Sequence, residues 1–106
     1  MQINVSARHG EINDATKERI VQKLDKIKRF FDRLTAIDAV VDFAKPEEPA
    51  LEVAVNAEKA GVFVASYQSG DLFGSLDQVL AKLEQQIKKH KEKLKERGKH
   101  GPHEEQ

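Results

Sequence analysis

Four short stretches of the chain alternate apolar and polar residues, and each alternation predicts a half-buried β-strand. In the first stretch, Ile3, Val5 and Ala7 share one face while their neighbours are polar. Two prolines in the segment KPEEP predict one turn, and Gly61 in EKAG predicts another. The predicted strands cover residues 2–8, 36–44, 51–57 and 62–68.

Two longer segments repeat apolar residues every three or four positions, which is the period of an amphipathic helix. The first segment covers residues 14–33 and follows Asn13, a typical N-cap residue. The second runs from residue 72 to about residue 97, with Ser69 or Asp71 as its expected cap and Gly98 as its expected end.

The predicted order of elements is therefore strand, helix, strand, strand, strand, helix. This order predicts a single α+β domain over residues 1–97, with both helices on one face of a four-stranded sheet. The remaining residues, 98–106, are polar and are expected to form a flexible tail. The same order is that of double-stranded RNA-binding domains, although an order of elements does not define a function.

Charge is segregated along a chain whose formal net charge is zero. Residues 13–34 contain seven Lys and Arg against four Asp and Glu, and residues 79–99 contain eight against three. Residues 35–78, between them, contain two against eight. Both predicted helices are therefore basic, and the predicted sheet is acidic.

The basic residues of the last helix are concentrated in the segment KKHKEKLKER, residues 88–97, where they surround the helix. Clustered cations repel each other, and a polyanion such as RNA or DNA would relieve that repulsion. A solvated helix end accounts for the same pattern equally well. Few aromatic residues are expected to be available for stacking on bases, and Phe30 is one candidate, so the pattern favours contacts with phosphates over reading of bases.

The sequence offers no recognisable catalytic constellation, so an enzyme is not expected. The chain has no cysteine, and its four histidines, at positions 9, 90, 100 and 103, show no metal-ligand spacing. We therefore expect neither a metal nor a cofactor. The N-terminus does not resemble a signal peptide, and no apolar run is long enough to span a membrane, so a cytoplasmic protein is expected.

Residues 71–95 closely resemble the closing helix of the ribosome hibernation-promoting factor and ribosome-associated translation inhibitor family. The opening segment INVSARHGEIN (3–13) also resembles the start of that family, and the resemblance covers about residues 2–97. Three residues depart from the family pattern. Gln85 stands where an arginine is usual, which is expected to remove one charge from the groove between the helices that the resemblance implies, and Gly74–Ser75 replaces a pair of alanines. The directly matching positions in the helix are Asp71, Asp77, Lys82, Leu83, Glu84, Gln86, Lys89, His90, Lys91 and Lys93.

This resemblance implies a bacterial protein that binds the small ribosomal subunit and the 70S ribosome at the decoding region, where mRNA and the A- and P-site tRNAs lie. Binding there would block translation and preserve idle ribosomes in stationary or stressed cells. The resemblance also implies the short form of the family, without the second domain that dimerises ribosomes, and a free protein that is monomeric. The residues expected to contact 16S ribosomal RNA, through a groove between the helices, are Arg8, Lys23, Lys26, Arg29, Lys82, Lys89, Lys91 and Lys93.

A second function remains open from the sequence. The basic C-terminal helix would equally suit a regulatory protein-interaction module that docks an acidic partner. Competition with tRNA or mRNA would separate the two, because only a protein bound at the decoding region would compete with them.

Overall fold

The computed structural model of the protein describes residues 2–29 and 33–100, and the side chains of all of these up to residue 93. Phe30, the expected stacking residue, and residues 101–106 of the expected tail lie outside the described residues. The order of elements is β1 (Gln2–Arg8), α1 (Asp14–Asp25), a 3-10 turn (Lys26–Arg29), β2 (Leu34–Asp42), β3 (Ala50–Ala57), β4 (Gly61–Gln68) and α2 (Leu72–His100).

The four strands form one sheet in the order in which they occur along the chain. β1 is parallel to β2, whereas β2, β3 and β4 are antiparallel to each other. α1 packs against β1, and α2 packs against β4 and β3 on the same side of the sheet. The predicted α+β architecture, with two helices on one face of a four-stranded sheet, is confirmed.

The core lies between the helices and the inner face of the sheet. Alternate strand residues such as Ile37, Val41 and Val53 are fully buried there, as their period of two requires. They meet the apolar stripes of the helices, including Leu24 and Leu83. The outer face of the sheet carries the other half of each alternation, and no described element covers it.

The first helix begins as predicted but ends earlier. The side chain of Asn13 accepts a hydrogen bond of 2.8 Å from the Thr16 amide, as an N-cap does. The predicted end at residue 33 is wrong, because α1 ends at Asp25. The Lys26 amide bonds to the Lys23 carbonyl at the i−3 spacing of a 3-10 turn, which keeps Ile27 buried.

Asp71 caps the second helix. Its carboxylate accepts a hydrogen bond of 3.1 Å from the Gly74 amide, and a Cβ on Gly74 would lie 2.7 Å from the other carboxylate oxygen. Ser75 is fully buried and its hydroxyl lies 2.6 Å from that of Ser69. Gly74 and Ser75, which replace the family's pair of alanines, therefore both take part in this cap.

The far end of α2 extends beyond its predicted limit. Gly98 was expected to end the helix, but the helix continues through it to His100. A single glycine in a helix costs only about 1 kcal/mol relative to alanine, so it does not by itself end a helix. α2 is therefore 29 residues long.

Candidate nucleic-acid interface

α1 and α2 lie side by side, and two polar contacts join them above their apolar stripes. The guanidinium of Arg19 lies 4.0 Å from the centre of the Phe73 ring. The Lys23 ammonium donates a hydrogen bond of 2.7 Å to the Asp77 carboxylate. These contacts fix the spacing of the helices and so define a groove between them.

Basic side chains line this inter-helix groove along most of its length. Towards the start of α2 the groove is lined by Lys23, Lys26, Ile27, Asp77, Leu80, Ala81 and Glu84. Further along α2 it is lined by Arg29, Glu84, Ile87, Lys88 and Lys91. Asp77 thus lines only the first half of the groove, and Glu84 borders both halves. The second half, with three cations against Glu84, is predominantly cationic.

The cations of the groove differ in whether a carboxylate already neutralises them. Lys23 is paired with Asp77 and only 31% of its side chain is exposed. Within residues 2–29 and 33–93, no carboxylate forms an ion pair with Lys26, Arg29 or Lys88. Because these three side chains are exposed and unpaired there, they are available to an anionic ligand.

Three of the lysines predicted for the groove lie on the opposite flank of α2. At about 100° per residue, Lys82, Lys89 and Lys93 fall roughly 80–120° to one side of the buried Leu83, and Lys91 falls about 80° to the other side. The contacts agree with these angles, because Lys82, Lys89 and Lys93 line clefts beside β4. Their predicted position in the groove is therefore wrong, whereas Lys91 lies in it as expected.

Lys82 is engaged with the edge of the sheet. Its ammonium donates a hydrogen bond of 3.0 Å to the Ser66 carbonyl and lies 5.2 Å from the centre of the Tyr67 ring. Gln86, one turn further along, donates an equally long bond to the Val64 carbonyl. β4 is an edge strand, and its outward carbonyls would otherwise be open to another chain. Lys82 and Gln86 therefore cover part of that edge.

Gln85 belongs to the same flank. It lines a cleft with Lys82, Gln86 and Lys89. The expectation that glutamine at this position removes a charge from the inter-helix groove is therefore wrong. Glutamine here removes a charge from the flank beside β4.

Arg8 lies on the side of the sheet away from the groove. It ends β1 opposite Asp42 of β2, among the outward-facing residues of the alternation. The Asp42 carboxylate accepts hydrogen bonds of 2.9 Å from the His9 ring and from the Ala44 amide. The bond from His9, followed by that from Ala44, lowers the pKa of Asp42 below its ordinary value.

The sequence reasoning missed Lys88 as a groove residue. Lys88 lies three positions before Lys91, a spacing that places two residues on one side of a helix. That spacing was visible in the sequence. What was missing was the knowledge of which flank of α2 faces α1.

The described part of the chain contains no group of three or more His, Asp or Glu side chains placed to hold a metal ion. None of its helices is long and apolar enough to cross a membrane.

The structure is thus an α+β domain with two helices on one face of a sheet and a cationic inter-helix groove between them. The chain belongs to the family described as Sigma 54 modulation protein / S30EA ribosomal protein, whose sequence profile matches residues 3–95. It is similar to proteins named Ribosome hibernation promoting factor. It is 31% identical to the one from Azotobacter vinelandii over 97 residues, which cover 92% of this chain and 89% of that protein. It is 31% identical to the one from Escherichia coli over 99 residues, which cover 91% of this chain and 99% of that protein.

Solved structures show the same fold. A ribosomal subunit interface protein from Coxiella burnetii superposes with a TM-score of 0.76 at 23% identity, covering 86% of this chain and 98% of that one. The N-terminal domain of Protein Y from Thermus thermophilus superposes with a TM-score of 0.72 at 25% identity, covering 84% of this chain and 98% of that one.

The contacts of Lys82 and Gln86 with β4 predict a structural role for both residues. We expect the double substitution K82A/Q86A to lower the free energy of unfolding by about 1–2 kcal/mol, because two hydrogen bonds to strand carbonyls are lost. Urea denaturation measures this change. The matched control is Q85A/K89A, which alters the same flank at two side chains for which no bond to β4 is described. Equal stability of the two double variants would contradict the assigned role.

Proposed function

We propose that this protein binds the small ribosomal subunit and silences it during hibernation. Membership of a family whose named relatives are ribosome hibernation promoting factors supports the ribosome-associated role. The observation that carries the proposed mode of binding is the inter-helix groove. Three exposed cations without a carboxylate partner among the described residues, Lys26, Arg29 and Lys88, line it together with Lys91.

The proposed ligand of the groove is the phosphate backbone of 16S ribosomal RNA. Binding of RNA phosphates releases condensed counterions, which makes lysine and arginine clusters effective without any contact to a base. Among the described residues, none of the side chains that line the groove is aromatic, so this part of it suits phosphates better than unstacked bases. The protein would therefore recognise the shape and charge of the RNA and not its sequence.

The charge distribution within the groove sets where the RNA backbone lies. In the first half, Asp77 and Glu84 repel phosphates and Lys23 is already neutralised by Asp77, whereas in the second half Glu84 is the one carboxylate beside three cations. Arg29, Lys88 and Lys91 attract phosphates in the second half. We therefore place the principal RNA contact beside the second half of α2, and assign Lys23 mainly to holding the two helices together.

The proposed location is the decoding region of the small subunit, which the family resemblance implies. A protein bound there would occupy the sites of mRNA and of the A- and P-site tRNAs, so inhibition would be steric and would require no turnover. Lys82, Lys89, Lys93 and Arg8 remain proposed contacts with ribosomal RNA. They would bind outside the inter-helix groove, because they lie on other surfaces of the domain.

Ribosome binding by the groove is tested by sedimentation with purified small subunits. We expect the variant K26A/R29A/K88A/K91A to lose co-sedimentation at a salt concentration where the wild type remains bound. The four groove contacts should contribute about −3 to −4 to the slope of the logarithm of the association constant against the logarithm of salt, so the slope of the variant should be shallower than that of the wild type by this amount. The control variant K17A/K45A/K59A removes three lysines that do not line the groove and should still bind.

A wild-type protein that stays at the top of the gradient at low salt would overturn the ribosomal function and leave docking to an acidic protein as the remaining alternative. Co-sedimentation that tRNA and mRNA fail to compete would instead contradict the decoding region as the location. The first result concerns the partner, and the second concerns the site on it.

The carboxylates of the groove give a prediction of opposite sign. We expect D77N/E84Q to tighten binding to small subunits about 3- to 10-fold at low salt, because two charges that repel phosphates are removed. Filter binding at two salt concentrations measures the affinity. The control E47Q/E48Q removes the same charge from the turn between β2 and β3 and should change the affinity much less. If the affinity rose equally in the two variants, binding would depend on net charge alone, which would contradict the groove as the binding site.

A further inference from the structure

The outer face of the sheet is a second surface, and its chemistry differs from that of the groove. Four rows of residues cross it in register, and no described element covers them. Val62 and Val64 are 57% and 45% exposed there. These two valines lie two residues apart on the same face of β4, so together they form an exposed apolar patch at that edge of the sheet. The rows are Gln2–Ala36–Asn56–Val62, Asn4–Asp38–Ala54–Val64, Ser6–Val40–Glu52–Ser66 and Arg8–Asp42–Ala50–Gln68.

Three carboxylates surround Val40 in the middle of this face. Asp38 and Asp42 lie two residues before and after it on β2, and Glu52 is its partner across β3. Side chains on the same face of neighbouring strands are about 5 Å apart, and those two residues apart on one strand are about 7 Å apart. One arginine or lysine whose alkyl stem packs on Val40 would therefore lie between all three carboxylates, within about 7 Å of each residue.

Two of these carboxylates are held in place by neighbouring side chains. The Asp38 carboxylate accepts a bond of 2.9 Å from the Asn4 amide, and the Asp42 carboxylate accepts bonds from His9 and Ala44. These partners are neutral amides and a histidine, which orient the carboxylates. Arg8 lies opposite Asp42 on β1, but among the described residues no arginine or lysine forms an ion pair with Asp38 or Asp42. No hydrogen bond or ion pair of the Glu52 side chain is described.

The charge of the face decides between possible occupants. RNA is excluded from the middle of the face, because the three carboxylates around Val40 repel phosphates, and Arg8, the one cation in the four rows, lies at the end of β1. A second copy packed on this face would bring like charges together. The area is also small, because the strands span about 14 Å across and about 20 Å along, or roughly 300 Å², against about 800 Å² per partner in a stable protein interface.

We propose that the outer face of the sheet docks an extended, arginine- or lysine-containing segment of another protein. The cationic side chains would meet the three carboxylates around Val40, and apolar side chains or alkyl stems would cover Val62 and Val64. The helix face and the sheet face would then sort partners by charge, with RNA on one side and a basic protein segment on the other. This inference goes beyond the proposed function, and neither depends on the outcome of the other.

The test uses the whole protein and a fluorescein-labelled synthetic peptide in which arginine and valine alternate. Fluorescence anisotropy should show saturable binding, and D38N/E52Q should weaken it about 5- to 10-fold through the loss of two exposed ion pairs. The matched control is E47Q/E48Q, which has the same net charge but an intact sheet face. It should bind the peptide within about 2-fold of the wild type, as is usual for charges that make no contact.

A second variant guards against an effect on folding. V40K places a lysine of the protein itself among the three carboxylates, and it should also weaken peptide binding while far-UV circular dichroism stays unchanged. Equal loss in D38N/E52Q and E47Q/E48Q would overturn the proposal, because binding would then depend on net charge alone. Wild-type affinity in both D38N/E52Q and V40K would overturn it as well. So would concentration-dependent dimerisation that D38N/E52Q strengthens, because the occupant would then be a second copy.

Discussion

The burial of two apolar helix stripes on the same face of one sheet is the constraint on which the rest of this structure depends. Ile20 and Leu24 of α1 and Leu76 and Leu83 of α2 must share one inner face with the strands, so the helices have to lie side by side. Their neighbouring flanks then enclose a groove, and the outer face of the sheet stays open. Since the helices are basic and the outer strand positions acidic, a chain of zero net charge becomes a domain with oppositely charged faces.

The same residue type has three different roles on this surface, and the partner of each side chain decides which. Lys23 holds the helices together through Asp77, and Lys82 covers an edge carbonyl of β4. Lys26 and Lys88 have no such partner among the described residues. A lysine that already makes a short bond must give it up to bind a phosphate, whereas an unpaired lysine loses only water and counterions. Counting lysines therefore overstates the number of RNA contacts.

Much of the fold could be predicted from the sequence, because local patterns determine it. The alternation of apolar and polar residues correctly predicted both ends of β1, and Asn13 correctly predicted the start of α1. The positions of the lysines on α2 could not be predicted in the same way. Helical periodicity places Lys82 and Lys91 on opposite flanks of Leu83, but only the packing of α2 shows that β4 lies beside one flank and α1 beside the other. The end of α1 was also missed, since tightening into a 3-10 turn leaves the spacing of buried residues nearly unchanged.

The most direct test of the account is to cleave ribosomal RNA from defined points on the bound protein. The chain has no cysteine, so single variants A81C and S66C allow a hydroxyl-radical source to be attached in the groove or on the outer sheet face. The account predicts strong cleavage of small-subunit RNA at the decoding region from A81C and little cleavage from S66C. Equal cleavage from both positions, or stronger cleavage from S66C, would contradict the claim that the inter-helix groove faces the RNA.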